Sequence, residues 1–255
     1  MFHDTCALTG RLMKQILRSP DTVITVAVTP LALFLLFRYV FGGAIGGTGN
    51  YTTYLLPGIL LITVASGVAY TALRLYDDRT KGINARLATL PIARSAVLWS
   101  HVITSVVSTL VTAAVVVGAA FAMGLRPHAS PLGWLGFVGV LTLFTLALTW
   151  LAVIPGLTAR SVEGASAFSY PLIFLPFLSS AFVPTQTMPG PVRWFAEHQP
   201  ATSVVESMRA LIEGEPAGTA LWTALAWMLA LTALASVVAV RTAARPAVRA
   251  GGRAG

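Results

Sequence analysis

Charge is what this sequence has least of. Only 10% of its 255 residues are Asp, Glu, Lys or Arg, against roughly a quarter in an average soluble domain. With 56% hydrophobic residues, too little polar surface remains to cover a soluble globule. Six windows hold no charged residue: 22–37, 39–73, 95–125, 127–159, 164–192 and 216–240, together 169 residues. About 20 apolar residues cross a bilayer as a helix. The pattern therefore predicts an all-α membrane protein with six transmembrane helices, at about 22–41, 54–75, 96–123, 132–158, 164–183 and 217–240. Disorder, a coiled coil, a disulfide scaffold and a free nucleic-acid-binding domain are excluded, despite a net charge of +8. A membrane β-barrel is excluded too. Its strands alternate apolar and polar residues, whereas 102–121 and 133–154 are apolar nearly all round.

Cysteine is almost absent. Cys6 stands alone, so no internal disulfide forms, and no Cys/His cluster suggests a metal. The first apolar run is too long for a signal-peptide core and no A-x-A site follows it, so it is expected to be a retained span. Catalytic motifs are missing as well. There is no Walker A pattern, and no G-x-S-x-G, H-E-x-x-H or paired-carboxylate arrangement. The four histidines, at 3, 101, 128 and 198, are scattered. His101, near the inner end of the third span, reads as a packing or interface histidine. None of the uncharged windows contains a carboxylate, although proton- and ion-coupled carriers commonly place one within a span. A transporter of this composition draws its energy from elsewhere. The alternative is a stand-alone secondary transporter or channel, which lacks both the intramembrane charge and the inverted repeat that would support it. A membrane-embedded enzyme or assembly factor lacks any catalytic cluster.

The charges that are present orient the chain. With a cytoplasmic N-terminus, the inner segments hold 13 of the 17 basic residues and 5 of the 9 acidic ones, giving +8 inside and zero outside. The positive-inside rule then places both termini in the cytoplasm of a multi-pass plasma-membrane protein. Residues 1–21 read as a cytoplasmic interface segment, 22–240 as the transmembrane domain and 241–255 as a basic tail. Over 5–18, Arg11, Lys14 and Arg18 share one arc of a helix, and Leu8, Leu12 and Ile16 lie on another face. This fits an in-plane helix in the headgroup region; the plainer reading is the ordinary positive flank of a first span.

Three further segments carry candidate function. The loop at 74–95 contains a helical repeat at 83–90, with Ile83, Leu87 and Leu90 at i, i+4, i+7 and Pro91 ending it. Its apolar side could enter a groove on another protein while Arg79, Lys81 and Arg86 meet acidic residues there; alternatively, it packs on its own bundle. The outer segment 184–216 shows two short helix signals: Pro191 as a first-turn residue, then a Ser203/Glu206 capping box with Gly214 closing the second helix. Arg209 and Glu213 are i, i+4 neighbours on it. The fifth span holds Ser166, Ser169, Tyr170, Ser179 and Ser180, interrupted by Pro171 and Pro176. It reads either as a kinked helix lining a substrate path or as a packing helix bonded to neighbouring spans. Arg38 is set inside an apolar run and is expected to snorkel to the outer headgroups.

Three ordered motif sets resemble a known family. The first is Tyr39-Val40-Phe41-Gly42-Gly43-Ala44-Ile45, followed by Tyr54-Leu55-Leu56-Pro57-Gly58-Ile59-Leu60. The second runs from Asp78 through Gly82-Ile83 and Arg86 to Leu90-Pro91-Ile92-Ala93-Arg94-Ser95-Ala96-Val97. The third is Ser179-Ser180-Ala181-Phe182-Val183-Pro184, Met188-Pro189-Gly190, Phe195-Ala196-Glu197-His198-Gln199-Pro200 and Arg209-Ala210-Leu211. Together they resemble the type-2 ABC transporter permeases of the daunorubicin-resistance branch, the membrane subunits of drug or lipid exporters. The resemblance implies six spans, an in-plane N-terminal helix, a cytoplasmic coupling helix between spans 2 and 3, and re-entrant outer helices before span 6. It implies a non-catalytic subunit of an exporter of amphiphilic molecules. A separate ABC ATPase subunit, in two copies, would bind ATP and magnesium, and a second permease copy or a homologous permease would complete the path. No cofactor sits on this chain, and membrane lipid rather than nucleic acid surrounds it. Carried onto this sequence, Arg79, Gly82, Ile83, Arg86, Leu87, Leu90 and Pro91 form the ATPase-coupling surface. Arg38 is a departure, since the family has a smaller or uncharged residue before the Tyr-Val-Phe triplet. Asn84-Ala85-Arg86 is another, because an acidic residue is expected beside the arginine.

Overall fold

The computed structural model describes residues 2–18, 20–42, 51–83 and 94–244. Those residues are almost wholly helical, and no strand occurs among them. In chain order the helices are α1 (Phe2–Leu17), α2 (Pro20–Leu35, continued by a π-helical turn at Leu36–Phe41), α3 (Tyr51–Thr80), α4 (Arg94–Ala122) and α5 (Pro131–Thr158). Then follow α6 (Val162–Ala167), α7 (Ser169–Phe174), α8 (Gly190–His198), α9 (Pro200–Glu213) and α10 (Gly218–Ala244). Four of them are long and apolar enough to cross a membrane: Tyr51–Thr80, Ser95–Ala122, Pro131–Thr158 and Gly218–Ala243. Two shorter apolar stretches, Ala27–Phe41 and Val162–Leu178, stand where the first and fifth spans are expected.

α3 is the central helix. Leu55, Leu56, Ile59, Leu60, Ile62, Val64 and Val68 are fully enclosed on all its sides, which is what a charge-free and nearly uniform apolar sequence permits. Glycine brings neighbouring helices close to it. A methyl group on Gly67 would stand 2.6 Å from Thr109 Oγ1 of α4, and one on Gly156 of α5 would stand 3.0 Å from the carbonyl of Ala72. Small residues at such crossings allow backbones to approach. α10, by contrast, packs one side on α5 and α9 and leaves Trp222, Leu229 and Leu234 well exposed, as lipid-facing residues are.

The expected fifth span is three short pieces: α6, α7 and a 3₁₀ turn at Leu175–Leu178. Pro171 and Pro176 remove backbone donors, and the regular ladder stops before residue 179. The two short helices expected within 184–216 lie near their sequence signals, but the second begins earlier. Gln199 caps it by accepting from Ala201 N at 3.2 Å, and Pro200 opens it. The Ser203/Glu206 capping box is therefore not used, and Ser203 Oγ instead donates to the Pro200 carbonyl at 2.9 Å. Gly214 does close this helix, in the left-handed conformation at φ 75°. Arg38 falls within the π-helical turn, a local widening of the helix of the kind that accommodates an extra residue.

Candidate functional site

The C-terminal end of α3 gathers three helices around one carboxylate. Asp78 is buried. Arg11 Nη2 of α1 donates to its Oδ2 at 3.0 Å, and His101 Nε2 of α4 lies 3.4 Å from the same oxygen. Two turns deeper, Thr71 Oγ1 donates to Ser105 Oγ at 2.6 Å, and Thr149 Oγ1 of α5 reaches the same hydroxyl at 3.4 Å. α1, α3, α4 and α5 are thus joined by polar contacts through an otherwise apolar packing layer.

Of the residues assigned to coupling, Arg79, Gly82 and Ile83 belong to the described structure. Arg79 reaches from α3 to the end of α5 and donates through Nη1 and Nη2 to the carbonyls of Leu157 and Ala159. It satisfies groups that a helix C-terminus leaves unpaired. Gly82 takes a left-handed φ of 72° and ends the helix where a side chain would be strained. Ile83 is half-buried. Arg86, Leu87, Leu90 and Pro91, and with them the expected helix at 83–90, lie outside the described residues.

The proposed path residues do not share one environment. Ser166 Oγ and Ser169 Oγ donate to carbonyls of their own helical turns. Ser179 Oγ donates to Pro176 O at 2.6 Å and accepts from Ala181 N at 3.1 Å, fixing the end of the 3₁₀ turn. Tyr170 is 60% exposed. Ser180 Oγ is buried with no hydrogen-bond partner among the described residues.

The Ser180 carbonyl belongs to a second clamp, near the N-terminal end of α3. Tyr54 Oη donates to it at 3.0 Å and Arg209 Nη2 at 2.9 Å. The same guanidinium reaches Tyr54 O at 3.2 Å and lies 3.8 Å from the Tyr54 ring centroid. Burial holds the Arg209 pKa below the ordinary arginine value, opposed by Tyr54, Glu213 and Glu206. Next to the clamp, a methyl group on Gly58 would stand 2.7 Å from Ala181 Cβ, so the end of the fifth segment lies directly against α3.

A family model described as ABC-2 type transporter matches residues 3–212, which takes in the Asp78 cluster, the loop after it and the Arg209 clamp. The chain belongs to the ABC-2 type transporter family. Among named relatives of this ABC-2 chain, the daunorubicin resistance ABC transporter permease protein DrrB1 of Streptomyces coeruleorubidus is 31% identical over 209 residues, covering 80% of this chain and 73% of the relative. The probable doxorubicin resistance ABC transporter permease protein DrrC of Mycobacterium tuberculosis is 28% identical over 232 residues, covering 86% and 82%. The putative transport permease ycf38 of Porphyra purpurea is 29% identical over 210 residues, covering 80% and 72%. The apolar helices and the family membership make the ABC-2 chain an integral membrane protein with a transport role.

Sequence reasoning missed two contacts at these sites. Arg11 shares one helical arc with Lys14 and Arg18, but its partner is 67 residues away. Arg209 is the i, i+4 neighbour of Glu213, and its guanidinium in addition bonds to the carbonyls of Tyr54 and Ser180. Local spacing carries no signal for either. The one available clue was an aspartate placed at the end of a long apolar helix.

Proposed function

We propose that this chain is the membrane-spanning subunit of an ATP-driven exporter, moving an amphiphilic substrate (a drug, natural product or lipid-like molecule) outward on energy supplied by a separate ATPase. The observation that carries this reading is the Asp78 cluster, which ties α1, α3 and α4 together immediately before the loop that would meet that ATPase. In this reading α2 with its π-helical turn and the broken segment at 162–183 provide the first and fifth of six crossings, and both termini are cytoplasmic. Ile83, Arg86, Leu87, Leu90 and Pro91 present the coupling surface, with Gly82 setting its direction. Arg79 holds the root of the loop against α5. ATP and magnesium bind to the two ATPase copies, and a second permease copy or a homologue closes the path. Apolar walls with scattered hydroxyls, including those at Ser166, Ser169, Tyr170, Ser179 and Ser180, suit amphiphiles better than ions.

The test is co-purification with an ABC ATPase, sought in the reading frames adjacent to the gene for this chain. Arg86→Glu and Leu87→Asp are expected to leave membrane insertion intact while abolishing ATPase capture and transport. Unchanged assembly and transport in both variants reject the coupling surface. Transport by the chain with no ATPase present favours the secondary-transporter alternative.

A further inference from the structure

A groove between α1 and α4 has no occupant in the architecture described above. It has a volume of about 730 Å³ and is lined by Cys6, Gly10 and Met13 on one side and by Trp99 and Ile103 on the other. This is the size of a small-molecule site.

Three observations bear on what fills it. Trp99 and Ile103 begin an exposed stripe that continues along α4 through Val107, Val111 and Val115. Successive residues of the stripe are one turn apart and adjoin one another, and in a bilayer an exposed apolar stripe of this kind meets lipid tails. The groove is therefore the inner-leaflet end of a lipid-facing surface, roofed by α1. On α1, Gly10 and Lys14 are likewise one turn apart on one face, which puts Lys14 at the rim. Lys14 and Arg18 are exposed and have no carboxylate partner among the described residues, unlike Arg11. Lastly, no atom lies within 4 Å of where a Gly10 Cβ would stand, and its φ is not positive. Neither backbone conformation nor packing requires glycine here, although glycine weakens a helix. What it does is leave the groove open.

We propose that this groove binds one acyl chain of an anionic phospholipid of the inner leaflet, with the lipid phosphate held by Lys14 and Arg18. Apolar walls accept any acyl chain, and the two unpaired cations select the headgroup. The proposal rests on the membrane reading and on the cytoplasmic placement of α1, and stands or falls independently of the ATPase partner.

The experiment places the full chain in phosphatidylcholine nanodiscs containing a small fraction of either phosphatidylglycerol or phosphatidylcholine with brominated acyl chains. The signal is quenching of the Trp99 fluorescence, obtained as the difference between the wild type and Trp99→Phe. Brominated phosphatidylglycerol is expected to quench it saturably and at a lower fraction than brominated phosphatidylcholine. Lys14→Gln should reduce that preference about fivefold, the effect of one cation near an anionic membrane surface. Gly10→Leu, which fills the groove from α1, should remove the saturable phase for both lipids. Lys14 is exposed, so its variant keeps the test decisive should Gly10→Leu misfold. Equal quenching by the two lipids in the wild type overturns the proposal, as does a preference that survives Lys14→Gln unchanged. A saturable phase that emerges only when each disc carries a single copy also overturns it, because a second permease copy then occupies the groove.

Discussion

At the scale of single residues, Asp78 and Arg209 hold opposite ends of the molecule, and each acts through partners distant in sequence. Asp78→Asn leaves Arg11 and His101 facing a neutral amide. A hydrogen bond to a charged group contributes about 1.5–3 kcal/mol, so a loss in that range is expected, measured as a lower thermal unfolding midpoint in detergent. Arg11→Gln should cost less, because its side chain is 40% exposed while that of Asp78 is nearly enclosed. A double-mutant cycle between them should return a non-zero coupling; additive losses would mean that the two act separately. Arg209→Lys keeps the charge but loses the planar stack on Tyr54 and the fork that reaches two carbonyls. We expect about 1–2 kcal/mol of destabilisation, detectable as faster proteolysis of 184–216; wild-type resistance would remove Arg209 from the clamp. Both residues stand in motifs that the sequence made conspicuous. Their partners could not be read there, because neither periodicity nor spacing reaches across 67 or 155 residues.

At the scale of elements, legibility followed regularity. The fourth span was expected at 132–158 and is Pro131–Thr158. Ser130 announces its start by accepting from Gly133 N at 3.1 Å, with proline at the first helical position. The fifth segment was visible as a proline-interrupted run, but not its division into α6, α7 and a 3₁₀ turn, since the chosen break depends on which freed carbonyls find donors. α9 starts before its Ser203/Glu206 signal because Pro200 has no N–H to be satisfied in the first turn, and Gln199 is the cap. Glycines separate into two classes that substitution distinguishes. Gly58→Ala forces a methyl group into Ala181, and overpacking of this kind costs about 1–3 kcal/mol. Gly118→Ala in α4 meets nothing within 4 Å and should leave stability unchanged or raised. Equal midpoints for the two alanine variants would show that α3 and the fifth segment are not closely packed.

At the scale of the whole molecule, the sparse charge has a directional meaning. The +8 balance lies wholly on the segments assigned to the cytoplasm. Green fluorescent protein fused after residue 255 should fluoresce, and alkaline phosphatase at the same position should be inactive; the opposite pattern reverses the topology. The number of long apolar helices was only partly legible, because 22–41 and 164–183 have the composition of spans but not the unbroken α-helical geometry of the other four.

α3 runs from the clamp at Tyr54 to the Asp78 cluster as one helix, about 36 Å at 1.5 Å per residue. It is pinned near both ends to different elements: α9 at one and α1 at the other. A rod held in this way cannot tilt at one end without moving the other. Its weakest point for bending is Pro57, a single turn from the clamp, so almost its full length behaves as a stiff lever arm. A displacement of α3 at its Asp78 end is therefore expected to change how Arg209 seats on the Ser180 carbonyl.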